Sequence, residues 1–191
     1  MRIVSGESKG MRLARFKGRK VRPTSDKVKG AIFNILGEAF DSKEVLDLFA
    51  GTGSLGIEAL SRGARKVVFV ENSLYALDIL YKNLTQCGYE GKTEIIKNVI
   101  ERAVKILQRK GDRFDYIFID PPYEKGMIEG TLALLSEDDI LEEDGVIISE
   151  HSSRELPAER YGDLTCMDQR RYGGTFITFY RKDFPRKELH E

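Results

Sequence analysis

Cysteine is scarce in this sequence: Cys87 and Cys166 are the only two, far apart and without CxxC spacing. That excludes a disulfide framework and gives no pattern of zinc ligands. No apolar run approaches the length of a membrane span, and the opening MRIVSGESKG lacks the apolar stretch of a signal peptide. A cytoplasmic protein without membrane contact and without a metal is expected. Internal repeats and low-complexity segments are also missing. Net charge is absent too, with 31 basic residues against 31 acidic ones, so the surface is not sticky for polyanions all round. What remains is ordinary: 191 residues, 41% hydrophobic and 32% charged, enough for one main domain with a full core and expected to be monomeric.

The neutral total hides an uneven distribution. From Met1 to Arg22, eight basic residues (Arg2, Lys9, Arg12, Arg15, Lys17, Arg19, Lys20 and Arg22) face one acid, Glu7, whereas SEDDILEEDG further on is strongly acidic. A basic segment on a neutral protein suggests a local polyanion contact such as nucleic acid, with a solvated arm as the alternative. The expected organisation is a basic extension over residues 1–22, a main domain over 23–183 and a tail over 184–191.

The runs RIVSG and MRLARF, separated by polar residues and glycine, suggest a small N-terminal hairpin. After RPTSD, the apolar residues Val28, Ala31, Ile32, Ile35 and Leu36 fall at helical spacing, with Thr24 or Ser25 as the N-cap. Strand and helix then alternate: EVLDLF, SLGIEALSRG, KVVFVE, SLYALDILYKNLTQCG, TEIIK, VIERAVKILQRK, RFDYIFI and GVIISEH. Strands apolar almost throughout, separated by helices, indicate an α/β fold with a parallel sheet covered on both faces. LTCMDQRRYGGTFITFYRK breaks the pattern with two runs around Gly173-Gly174, an antiparallel hairpin closing the sheet.

The first strand–turn–helix unit reads Asp47-Leu48-Phe49-Ala50-Gly51-Thr52-Gly53-Ser54-Leu55-Gly56. Its glycines allow a tight turn and close backbone approach to a ligand at a helix start, and Glu71 ends the next strand, placed to accept from ribose hydroxyls. The context indicates a nucleoside cofactor. Asp47, ahead of the glycines, suits the cationic amino end of S-adenosylmethionine and would oppose a pyrophosphate. Asp47, Ala50, Gly51, Gly53, Glu71, Asn72 and Asn98 are the candidate cofactor residues.

Asp120-Pro121-Pro122-Tyr123 follows the strand RFDYIFI. Neither proline donates a backbone hydrogen bond, so the strand stops and the turn is stiff. An exocyclic amine on a nucleobase is a poor nucleophile, because its lone pair is delocalised into the ring. A carboxylate and a backbone carbonyl, each accepting one N–H, draw the nitrogen toward a tetrahedral shape, and Asp120 with the carbonyl of Pro121 is the natural pair. Tyr123 offers a flat face to an unstacked base. His151, beside a strand end, reads as structural rather than as a base.

In order and spacing, RPTSDKVKGAIFNIL, VLDLFAGTGSLGIEALSRGA, FVE, DPPY and YGGT resemble the RsmD-type methyltransferases. The resemblance runs to about Arg181. It implies a Rossmann-like class I fold, with a doubly wound, mostly parallel seven-stranded sheet, a C-terminal antiparallel hairpin and a small basic N-terminal hairpin. It also implies methyl transfer from S-adenosylmethionine to the N2 amine of a guanine in 16S ribosomal RNA, on the free RNA or the assembling small subunit. The cofactor would lie on Asp47, Gly51, Gly53 and Glu71, and the target base on Asp120, Pro121, Pro122 and Tyr123. Asn98 departs from the family, which often has an acid near the adenine; an amide still pairs with an adenine edge. On charge rather than on a motif, Arg12, Arg15, Arg19, Lys20 and Arg22 are the candidate RNA contacts, with Arg170, Arg171 and Tyr172 as a second location; for Arg22 the cofactor's carboxylate and plain solvent exposure stand as alternatives. Competing readings are a DNA adenine-N6 methyltransferase, a nicotinamide-dependent oxidoreductase and a non-enzymatic RNA-binding protein.

Overall fold

The computed structural model describes residues 1–16, 26–37, 40–122 and 126–183. Thr24, Ser25, Arg19, Lys20, Arg22, Tyr123 and the tail from residue 184 lie outside them. The chain alternates as its periodicity predicts. Helix α1 (Asp26–Leu36) is followed by β1 (Glu44–Asp47), α2 (Ser54–Ser61), β2 (Lys66–Val70), α3 (Leu74–Cys87), β3 (Thr93–Ile96), α4 (Ile100–Lys110) and β4 (Phe114–Ile119). Then come α5 (Met127–Glu137), β5 (Leu141–Ser152), β6 (Arg160–Tyr161), β7 (Leu164–Tyr172) and β8 (Thr175–Lys182).

Local chemistry sets the ends of several of these elements. The hydroxyl of Ser73 caps α3 by accepting from the Ala76 N–H, and the helix closes on Gly88 at φ 72°. Helix α4 closes on Gly111, also at φ 72°. A left-handed residue at that position lets the last carbonyls be satisfied, and glycine adopts it without a Cβ penalty. Helix α4 buries only Ala103, Val104 and Leu107 and surrounds them with charge, the pattern of a helix lying on one face of a sheet.

The strands form one sheet in the order β3-β2-β1-β4-β5-β8-β7-β6. β1 to β5 run parallel, whereas β8, β7 and β6 are antiparallel to their neighbours. The sheet has eight strands rather than seven. The extra one is the two-residue β6, too short to leave a periodic signal. Helix α5, to which the sequence pattern assigned no element, carries Gly130 and Thr131 at its centre, both weak helix formers. Side chains alternate across the sheet. Val45, Val67, Phe69 and Phe118 pack with α1, α2 and α3 on one face, and Leu46, Val68, Val70, Ile117 and Ile119 pack with α4 and α5 on the other.

The N-terminal segment folds back through a single antiparallel bridge, Arg2 with Arg12, and hydrogen bonds from the Ile3 N–H to Met11 and the Gly10 N–H to Ile3. Ile3 and Leu13 join the core cluster beneath α1, α2 and α3. Residues 12 to 16 then run antiparallel along α3. Gln86 donates to the carbonyl of Arg12, Asn83 exchanges hydrogen bonds with Ala14, and the ring of Phe16 lies 5.7 Å from that of Tyr75.

Candidate active site

The order in which the chain lays down its parallel strands reverses between β1 and β4, which is where doubly wound folds hold ligands beyond their strand ends. Register brings the two motifs together. Asp47 pairs with Phe118, and the Leu48 N–H donates to the Phe118 carbonyl at 3.1 Å, so the glycine loop and the Asp120 turn leave adjacent strands at the same end.

Asp47 is the last residue of β1 and almost wholly buried. Its Oδ2 accepts the N–H of Gly56 at 3.1 Å. Burial, with the nearby negative charge of Glu71 adding to it, pushes the carboxyl up to about 7, against the opposing backbone N–H groups of Gly56 and Phe49. A carboxyl so placed gains from a cation brought beside it.

The three glycines divide their tasks. A Cβ on Gly51, at φ 53°, would meet only the Phe49 carbonyl oxygen at 3.9 Å and otherwise open space. On Gly53, at φ 84°, it would come within 2.5 Å of Leu80 Cδ1 and 2.9 Å of Ile57 Cδ1. On Gly56 it would strike the Phe69 ring at 2.2 Å. Gly53 and Gly56 therefore let α2 and the turn pack against the core, and Gly51 is the glycine that leaves room outside. Ala50 ties the turn to β2 through its N–H to the Val70 carbonyl, and its own carbonyl accepts from Gly53 at 2.7 Å.

Glu71 joins the turn to the end of β2. Its Oε2 accepts the Gly51 N–H at 2.9 Å, and its Oε1 accepts the N–H groups of Asn72 and Ser73 at 2.8 and 2.7 Å. A carboxylate has about four acceptor sites, so three backbone donors fix its orientation and leave capacity for a ligand hydroxyl. Asn72 is exposed beside it. Asn98, after β3, uses its amide oxygen to accept the Val99 N–H at 3.0 Å, so its NH2 is the end with donors to spare.

One residue the sequence reading passed over is Ser54, the first residue of α2. Its Oγ is buried and has no hydrogen-bond partner among the described residues. An orphaned hydroxyl, open space at Gly51 and a buried carboxyl near its titration point fit a polar, partly cationic ligand better than a plain packing turn. The signal in the sequence was a hydroxyl directly behind the glycines.

At the end of β4, Asp120 is half-buried, Pro121 buried and Pro122 exposed. His151 is fully buried on β5, its Nε2 2.8 Å from Thr178 Oγ1 and its Nδ1 3.1 Å from the Ser152 carbonyl, and burial lowers its pKa. It is a structural histidine. Arg12 and Arg15 are exposed on the N-terminal segment.

Sequence patterns also left unread a buried charge cluster behind the site. Glu58 of α2 accepts from the N–H groups of Val4 and Ser5 at 2.8 and 3.0 Å, from Arg62 Nε at 3.0 Å, and lies 3.2 Å from Lys29 Nζ. Lys29, buried on α1, also donates to the Arg2 carbonyl at 2.6 Å, and burial lowers its pKa despite Glu58. The cluster fastens the N-terminal segment and α1 to the helix that follows the glycine loop. Only the Glu58–Arg62 spacing of four residues was visible in advance.

Over residues 1–181 the chain matches the family described as "Conserved hypothetical protein 95". It is similar to "Putative rRNA methyltransferase YlbH" of Bacillus subtilis, 42% identical over 183 residues that span 95% of this chain and 99% of that protein. It is also similar to "Ribosomal RNA small subunit methyltransferase D" of Haemophilus influenzae, 38% identical over 152 residues, 78% of each chain. A solved structure described as "Putative methyltransferase yhhF from Escherichia coli" matches at TM-score 0.81 and 25% identity, covering 96% of this chain and 98% of that one. At 16% identity and TM-score 0.62, a "putative methyltransferase complexed with SAH" shares the fold alone, over 74% of this chain and 46% of that one. With its paired glycine and Asp120 turns and a match over nearly the whole chain, the protein belongs to the RsmD-type methyltransferase family.

Proposed function

We propose that the protein transfers a methyl group from S-adenosylmethionine to the exocyclic N2 amine of a guanine in small-subunit ribosomal RNA. The observation that carries this reading is the register of β1 and β4, which sets the glycine turn and the Asp120 turn side by side at one end of the sheet. Asp47, Ala50, Gly51, Ser54, Glu71, Asn72 and Asn98 would hold the cofactor. Glu71 takes ribose hydroxyls with its remaining acceptor capacity, and Asp47 favours the cationic amino group. When bound, S-adenosylmethionine supplies a methyl group on a cationic sulfur, already electrophilic enough for an amine to attack.

The chain's task is then on the amine side. The Asp120 carboxylate and the Pro121 carbonyl each accept one N–H, which localises the nitrogen lone pair and stabilises the positive charge that develops as the new N–C bond forms. The amine proton leaves through Asp120 to solvent after transfer, so no strong base is needed beforehand. Pro121 and Pro122 keep the acceptors fixed, which avoids reorganisation during the reaction. Tyr123 is assigned to the face of the base. The exposed Arg12 and Arg15, with Arg19, Lys20 and Arg22 beyond them, form the basic side of the RNA footprint.

Nucleoside mass spectrometry of small-subunit rRNA from cells with and without the protein tests the reading. The expected result is loss of one N2-methylguanosine, restored by the wild-type gene. An unchanged N2-methylguanosine content would reject the base and position, and equilibrium dialysis showing no retention of S-adenosylmethionine would reject the cofactor.

A further inference from the structure

The β7–β8 hairpin stands at the same end of the sheet as the proposed active site, and register measures how far it reaches. Ile119, the residue before Asp120, pairs with Ser149 on β5. β5 continues for three more residues to Ser152, which pairs with Thr175 at the start of β8, and Thr175 pairs in turn with Tyr172 at the end of β7. At about 3.3 Å per residue the tip of the hairpin overhangs the end of β4 by roughly 10 Å, and it lies about three strand spacings, roughly 14 Å, to the side. That offset suits the strand flanking a target nucleotide, not the nucleotide itself.

At this tip an arginine is held in place. His151, Phe176 and Arg171 are cross-strand partners in one row. The buried His151 ring stacks on Phe176 at 5.7 Å and 12°, and the Arg171 guanidinium carbon sits over the same Phe176 ring at 5.7 Å. Arg171 Nε donates to the Gly173 carbonyl at 2.9 Å. The guanidinium is thereby oriented by a ring below and a backbone acceptor at one edge. Its two terminal nitrogens carry four N–H donors, and no carboxylate pairs with Arg171 among the described residues. Its neighbour Arg170 differs: its Nε is bound to Asp168 at 2.7 Å, which offsets its charge.

We propose that the hairpin tip is a clamp for the RNA backbone beside the target nucleotide, with Arg171 as its phosphate-binding group. The proposal rests on the RNA-methyltransferase reading above. A planar guanidinium fixed in advance binds a phosphate through two parallel N–H donors and loses less freedom on binding than a mobile lysine. The stack on Phe176, itself backed by His151, supplies that fixation. Arg171 is a substrate-positioning residue; it does not touch the reacting atoms.

The test compares wild type with Arg171→Ala, Arg171→Lys and Arg170→Ala in two assays. One is binding at several salt concentrations, to a small-subunit rRNA transcript and to small subunits purified from cells lacking the protein. The other is steady-state methyl transfer. Arg171→Ala should weaken binding by about tenfold and make the salt slope shallower by about one. KM for the RNA substrate should rise to a similar extent, with kcat and S-adenosylmethionine affinity unchanged. Arg171→Lys, which keeps the charge and loses the planar fork, should restore the salt slope and only part of the affinity. Wild-type affinity and slope in Arg171→Ala would overturn the clamp. So would an equal effect of Arg170→Ala, or a loss explained by a lower melting temperature. If wild type binds RNA through Arg171 yet transfers no methyl group to it, the function reading fails and the clamp stands. If wild type binds neither RNA probe, both fail.

Discussion

Exchanging Gly51 and Gly53 for alanine one at a time separates ligand approach from packing within a single turn. At Gly53 the added methyl must come within 2.5 Å of Leu80 Cδ1 and 2.9 Å of Ile57 Cδ1, in a backbone at φ 84° that disfavours any L side chain. A left-handed conformation costs a non-glycine residue about 1–2 kcal/mol. Forcing a methyl into a packed core costs about 1–3 kcal/mol more. Gly53→Ala should therefore lose about 2–5 kcal/mol of stability, a drop in melting temperature of roughly 4–20 °C for a chain of this size. At Gly51 the same methyl meets nothing closer than 3.9 Å and φ is 53°, inside the left-handed basin. Gly51→Ala should lose only the conformational part, about 1–2 kcal/mol. Its methyl projects instead into the space assigned to the cofactor, so S-adenosylmethionine affinity should fall tenfold or more, by roughly the 1.4 kcal/mol that a tenfold change represents. Denaturant unfolding without ligand and isothermal titration with S-adenosylmethionine read the two quantities separately. A Gly53→Ala protein as stable as wild type, or a Gly51→Ala protein that binds cofactor normally, would refute this division of roles.

Three further outcomes are expected. Asp120→Ala should reduce kcat by on the order of a hundredfold or more while cofactor affinity survives, as single-turnover methyl transfer and dialysis would show; near-normal turnover would remove Asp120 from the chemistry. Asp47 has a folded pKa raised to about 7 from an ordinary value of 3.8, so between those values the folded state holds more protons than the unfolded one. Its contribution to stability is fully present below pH 4 and declines as pH rises to about 7. The ligand-free wild type should accordingly show a fall in stability over that range that Asp47→Asn lacks, and S-adenosylmethionine binding should weaken by up to tenfold per unit as pH drops below 7. Glu58→Gln leaves Lys29 buried without its counter-charge and should lower stability by about 3–5 kcal/mol in urea denaturation; a loss below 1 kcal/mol would mean that the cluster is dispensable.

The elements that were legible in the sequence are those whose evidence is local. Apolar runs of strand length alternating with helical spacing give the doubly wound core, Gly51, Gly53 and Gly56 mark the turn between β1 and α2, Asp120-Pro121-Pro122 ends a strand, and Gly173-Gly174 turns the hairpin; each signal lies within about a dozen residues. What tertiary structure alone decided depends on residues far apart in the chain. Whether Gly53 faces a ligand or Leu80 depends on where α3 packs, 27 positions later, and no spacing rule reports that. Glu58 becomes the partner of Lys29, Val4 and Ser5 only when α1, α2 and the N-terminal segment meet. Arg171 is one basic residue among 31 in the sequence. It becomes a held cation because antiparallel register sets it opposite Phe176 and Phe176 opposite His151, and because β5 carries that row past the end of β4. Periodicity fixes which face of an element is buried; register and packing fix what each exposed group stands beside.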